Sequence, residues 1–259
     1  MTGFSFLTQI PLWIFGLSTL MILLGSLEFG FFLGRIDKGR QDGAAQLTTL
    51  QAATLGLLAL VLSFTYSYVS ARMDMRKLAV IHEANAIGTA YLRAGYIRDP
   101  QGAQIRSLLT DYVQIRVLTR ESTDTPDKVR DLVSRSEQLH DQIWSAVEEI
   151  MAADAGPKEV SLVTAINEII DLHTERLTVS LDRLPGIVMV MLLVIAAMGM
   201  FLTGCNAEIG GMRNRGIPMA LACVLTLLIL VIADLDRALS GFVQIDQSPY
   251  VSLIQSMSR

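Results

Sequence analysis

The sequence predicts an all-α, polytopic membrane protein: four transmembrane helices in two hairpins, with a helical soluble domain between them. Three observations predict it. The chain has 259 residues and is 51% hydrophobic, above the roughly 45–50% of soluble domains. The excess is concentrated in four blocks, residues 11–33, 48–69, 184–202 and 217–233. Each matches the roughly 17–25 apolar residues that a helix needs to cross a bilayer, the last at the short end of that range. The polar stretch between the second and third blocks repeats its apolar residues at helical spacing, and no strand alternation is visible anywhere.

The first block has no Lys or Arg before it, is long for a signal peptide and is not followed by a small-x-small cleavage site, so it reads as a retained membrane helix. The second block runs on without proline or interior glycine from Gly56 to Lys77 and turns charged at Arg72. It therefore reads as one long helix shared by membrane and water. Residues 1–69 form the first hairpin, 70–183 the soluble domain, 184–233 the second hairpin and 234–259 a tail.

The soluble domain divides into four helices. The first continues span two to about Ala94, and Asp99-Pro100 separates it from the next, because proline lacks the amide donor and restricts the residue before it. The second runs from about Gln101 to Arg120, with Ile105, Leu108, Leu109, Tyr112, Val113 and Val117 on its apolar stripe. After a loop from Glu121, Thr125-Pro126 supplies an N-cap and a proline at the first helical position. That third helix reaches about Ala153. Gly156-Pro157 opens the fourth, whose stripe is Leu162, Ile166, Ile169, Ile170 and Leu177. Gly241 and Pro249 mark a non-helical stretch, 240–249, before a short apolar end.

Charge excludes some functions and leaves the topology open. The net charge is −4, and no basic stripe suggests nucleic acid. The short loops carry Arg35, Lys38, Arg40, Arg213 and Arg215; near span ends on the other side lie Arg72, Arg76, Lys77, Arg176, Arg183 and Arg237. Five against six gives no orientation by the positive-inside rule.

Candidate chemistry is sparse. Glu28 is the one ionisable residue well inside a span, which suggests either an ion or proton site or a pairing near the interface, with Arg35 two turns away on the same face. Ser26, Gly30 and Gly34 form a ladder of small residues that lets two membrane helices approach closely. Gly56, Leu60 and Phe64 lie four apart and form a candidate pore constriction, since apolar rings gate by dewetting. Asp234 and Asp236 either aim at one cation or pair with Arg237, and pairing is the favoured reading. Glu83 and Asn85 are placed to hydrogen-bond helices together. His82 and Glu83 are adjacent and diverge by about 100° on a helix, while His140 and His173 stand isolated. No metal or cofactor motif is present. Cys205 and Cys223 fit no CxxC site and read as buried thiols.

The hairpin–domain–hairpin layout and two local segments resemble the bestrophin superfamily, and more closely the bacterial membrane proteins with a bestrophin-like domain. The first segment is the small and apolar span from Gly56, with Phe64, Ser67, Arg72, Arg76 and Lys77, followed by Glu83-Ala84-Asn85-Ala86-Ile87-Gly88-Thr89-Ala90-Tyr91-Leu92-Arg93. The second is Asp234-Leu235-Asp236-Arg237 with Gly241 and Gln247-Ser248-Pro249. The resemblance implies a homopentameric ion channel in the bacterial cytoplasmic membrane, with inorganic ions as its cargo. Its apolar neck would fall on Gly56, Leu60 and Phe64, and residues 70–183 and both termini would be cytoplasmic. Gly56 departs from the bulky apolar residue usual at that position, and the tail lacks the acidic calcium clasp of animal members. Two other readings are a non-conducting, membrane-anchored interaction or signalling protein and an intramembrane enzyme. The enzyme reading is weakest, because one carboxylate is not a catalytic constellation.

Overall fold

The computed structural model describes residues 10–36, 44–117, 125–211, 214–237 and 241–258. The expectations for Lys38, Arg40, Glu121, Arg213 and the stretch beginning at Ser240 fall wholly or partly outside them. Eight helices occur among the described residues: α1 (Leu12–Ile36), α2 (Ala44–Ala94), α3 (Gln101–Arg116), α4 (Pro126–Ala153), α5 (Pro157–Leu181), α6 (Gly186–Ile209), α7 (Gly216–Asp236) and α8 (Ser248–Met257). Four helices are long and apolar enough to cross a membrane, and no strand occurs among the described residues. The chain is an all-α polytopic membrane protein.

Two compact units divide the chain. The first holds the described residues up to Ala71 together with Arg183–Arg237; the second holds Arg72–Asp182 together with the described residues 241–258. The 51-residue helix α2 contributes to both.

In the first unit α1 packs on α6 and α7. Leu23, Leu27 and Phe31 of α1 share a buried cluster with Leu58, Leu62 and Val69 of α2, Leu192 and Met200 of α6, and Leu225 and Ile229 of α7. Small residues set the α1–α6 distance. A Cβ on Gly30 would lie 2.1 Å from the Phe201 carbonyl oxygen, and one on Gly204 would lie 2.2 Å from that of Leu27. Backbone meets backbone there, so no side chain can move aside. Gly34 meets Cys205 in the same way, at 2.9 Å from its carbonyl oxygen, while Ser26 is only half-buried. Cys205 is buried, but Cys223 is exposed on α7, which corrects its reading as a buried thiol. The α7 stripe buries its neighbour Ala222 and turns the thiol outward.

The second unit is a bundle of α3, α4, α5 and α8 with residues 72–94 of α2, around a core that includes Ile87, Ile105, Leu109, Ile143, Leu162 and Ile166. Thr125 caps α4, accepting from the Lys128 amide at 3.4 Å, with Pro126 behind it. Arg76, almost fully buried, closes the C-terminal end of α5: its guanidinium donates to the carbonyls of Val179 at 3.3 Å and Asp182 at 2.8 Å. Those carbonyls have no intrahelical partner, and a cation suits that end of the helix. The tail is non-helical over residues 241–247, as expected, and its helix begins at Ser248, two residues earlier than the expected boundary. Residues 248–257 are helical, and Tyr250 is wholly buried because its ring and hydroxyl both find partners inside the bundle.

The close α1–α6 contact predicts that Gly30→Ala destabilises the detergent-solubilised protein by about 1–3 kcal/mol, the usual cost of overpacking. Gly25→Ala, where a Cβ meets nothing within 4 Å, leaves the unfolding midpoint unchanged or raises it, since alanine favours a helix interior by up to about 1 kcal/mol over glycine. Thermal unfolding of the two variants side by side checks this.

Candidate functional site

Helix α2 presents two different faces to its surroundings. Within the first unit its buried residues are Leu58, Leu62, Thr65 and Val69. At about 100° per residue, Gly56, Leu60 and Phe64 are centred about 170° away from that stripe. Leu60 is 52% and Phe64 68% exposed, and a Cβ on Gly56 would meet nothing within 4 Å. Leu57, Tyr66 and Tyr68 are exposed as well. Only 11% of the apolar window of α2 is covered by its own chain, against 33–39% for the other three spans. One end of the α2–α6 contact is polar: Gln51 donates to Thr203 at 3.1 Å and accepts from the Asn206 amide at 2.6 Å, and Thr48 donates to Asn206 at 3.2 Å.

The other polar candidates are paired. Glu28 lies 3.2 Å from Arg215, whose guanidinium also sits 4.6 Å from the centre of the Phe31 ring. Arg35, expected to face Glu28, lies 3.5 Å from Glu208 instead. A partner from another element is within reach of each, so the two residues need not bond along their own helix. Asp236 accepts from the Leu184 amide at 2.7 Å, and Arg237 donates to the Ile10 carbonyl at 2.7 Å. Asp234, Asp236 and Arg237 are all buried.

The second unit is organised around Glu83, on α2 beyond its apolar segment. Its side chain has no exposed surface. One carboxylate oxygen accepts from the Tyr112 hydroxyl at 2.7 Å and lies 3.0 Å from Nε of Arg116. The other accepts from Arg116 at 3.2 Å, from Arg176 at 2.9 Å and, through a short hydrogen bond, from the Tyr250 hydroxyl. Arg176 also donates to the Tyr250 oxygen at 2.7 Å, and Arg116 to Ser136 at 3.3 Å. Burial alone raises the Glu83 carboxyl; Arg116, Arg176 and the hydroxyls of Tyr250 and Tyr112 outweigh it and hold the group at about 2. The same burial, with the neighbouring Glu83 charge, pushes both tyrosines up. The carboxylate is thus locked in its charged form and both phenols in their neutral forms.

Sequence reasoning reached Glu83 as a helix-to-helix hydrogen bonder but missed its partners. Asn85, singled out with it, is exposed, as is His82. His140 and His173, read as isolated, are buried beside Tyr112, their ring centroids 4.8 Å apart. Among the described residues no three His, Cys, Asp or Glu side chains gather as a metal site, and Arg116 beside the two imidazoles repels a cation.

A family model described as Bestrophin-like domain matches residues 19–250. No curated protein and no solved structure matches the chain.

Removing the charge of Glu83 leaves two buried guanidiniums without their counterion. Glu83→Gln therefore lowers unfolding stability by about 3–5 kcal/mol. Tyr250→Phe keeps the ring and removes one hydroxyl, at a cost of about 1–3 kcal/mol. Denaturant unfolding followed by circular dichroism measures both.

Proposed function

The chain belongs to the bestrophin-like family, and from that membership we propose that it is an oligomeric ion channel whose neck is lined by the Gly56, Leu60 and Phe64 face of α2. The observation that carries this reading is the bare outer face of α2. A helix whose apolar segment is nine-tenths uncovered by its own chain must find cover in lipid or in copies of itself. Its buried face is already committed to α1, α6 and α7, so the free face is the one available to a shared axis. Ser63 and Ser67 alternate there with Leu60 and Phe64, a composition suited to a narrow aqueous path. Constrictions at Leu60 and Phe64 gate by expelling water. Gly56 adds no side chain, so the barrier has two bulky rings rather than three. The neck carries no charge and so sets no preference between anions and cations.

By the same family reading the assembly is a homopentamer in the bacterial cytoplasmic membrane, with the second unit and both termini on the cytoplasmic side. The second unit completes its core within one chain, which favours the other reading, a non-conducting helical interaction protein held by two hairpins.

The mass of the complex in lipid nanodiscs, followed by bilayer recording, separates the two. A conducting closed ring supports the channel; a silent monomer or dimer supports the anchored domain. In a conducting assembly Leu60→Ala and Phe64→Ala together raise the open or leak conductance several-fold. Unchanged currents from folded, assembled double variant would place the neck elsewhere.

A further inference from the structure

Two buried groups of the second unit lie outside the proposed neck. His140 on α4 and His173 on α5 meet edge to face, ring centroids 4.8 Å apart and planes at 89°. His140 is 8% and His173 4% exposed, and Nε2 of each has no hydrogen-bond partner among the described residues. Tyr112 decides the state of one of them. Its single O–H proton goes to Glu83, so its 3.3 Å contact with Nδ1 of His173 requires Nδ1 to be the donor. Nε2 of His173 is then an unprotonated base, buried and without a donor.

The charged and titratable groups facing the pair come from every packed element. They are Glu83 of α2, Tyr112 and Arg116 of α3, Asp141 next to His140 on α4, Arg176 of α5 and Tyr250 of α8. Asp141 is exposed. The buried centre therefore holds two guanidiniums and one carboxylate, already one positive charge in excess.

We propose that His140 and His173 form an acid-sensitive switch: a proton on either imidazole places three cations around one carboxylate, drives α4 and α5 apart and loosens the bundle. The switch belongs to the second unit and does not require the chain to conduct. Burial, and after it Arg116, pushes both imidazoles down from 6.5 to about 4. The unfolded chain accepts these protons at a higher pH than the folded one. The stability contributed by the neutral pair is therefore complete above about pH 6.5 and drains away as the pH falls towards about 4. Glu83, at about 2, stays ionised through that window. The third histidine of the chain, His82, is exposed.

The test is the thermal unfolding midpoint of the full chain in detergent micelles. Between about pH 7.5 and about pH 5 the midpoint of the unmodified protein falls by about 10 °C, and His140→Gln/His173→Gln loses most of that dependence. A midpoint that moves by less than about 2 °C across this range, or a double variant that keeps the full slope, overturns the proposal. Should the double variant not fold, the imidazole 15N shifts of His140 and His173 in the unmodified protein decide. Two histidines that stay neutral down to about pH 5 support the switch, and protonation of both above about pH 6 overturns it.

Discussion

One buried carboxylate holds the second unit together. Glu83 receives donors from α3, α5 and α8, and through Arg116 it reaches Ser136 on α4. Five helices are thereby referred to one point. The arrangement does not maximise stability, because desolvating two guanidiniums and a carboxylate costs about as much as their attraction returns. What it does supply is register. An apolar centre of the same volume tolerates a helix sliding by one turn, whereas here a slip of one turn strands a buried charge. The two tyrosines finish the accounting of donors and acceptors, and their high proton affinity keeps them as donors throughout the physiological range.

Helix α2 carries this requirement along its length. Its buried face steps by sevens from Leu62 through Val69, Arg76 and Glu83 to Ala90. A strict seven-residue step keeps one face of a helix turned to its partners with only slow drift. The polar members of that stripe are each satisfied where they lie: Arg76 by the last carbonyls of α5, Glu83 by its arginines and tyrosines. The face opposite is under no constraint from the chain's own core, so its composition reports the surroundings of the helix rather than the fold.

The architecture was legible because it depends on segment-scale properties. Four apolar blocks, three proline-marked breaks and helical spacing predicted the spans and the four-part soluble region, with α3 ending at Arg116 rather than near Arg120. The Glu83 centre was not legible in the same way. Its partners lie 29 to 167 residues away in sequence, and no local spacing brings them together. A weaker signal was nonetheless present. Arg116 follows Tyr112 by four on the apolar stripe of α3, and His173 and Arg176 continue the stripe of Ile166 and Ile169 on α5. Charged residues at core positions of a helix demand a buried counterion, but the spacing does not say which carboxylate supplies it. Glu28 misled for the opposite reason: helical geometry offered Arg35, while the loop before α7 delivered Arg215, which no periodicity encodes.

The bare face of α2 has to be covered by something other than its own chain. Leu57, Leu60, Phe64 and Tyr68 are large, exposed and gathered on one side of the helix, in a segment apolar and long enough to cross a membrane. Lipid accepts all four, and the small residues Gly56, Ser63 and Ser67 lie between them. Ser63 already donates to the Ala59 carbonyl at 2.9 Å, so its hydroxyl is neutral towards lipid and towards water. Gly56 is the more telling residue: no neighbour in its own chain requires the missing side chain, and glycine weakens a helix by about 1 kcal/mol relative to alanine. A glycine retained against that cost, on a face with nothing of its own to touch, fits close approach by something outside the chain. In the proposed channel, a neighbouring copy around a shared axis would meet that demand together with the apolar one.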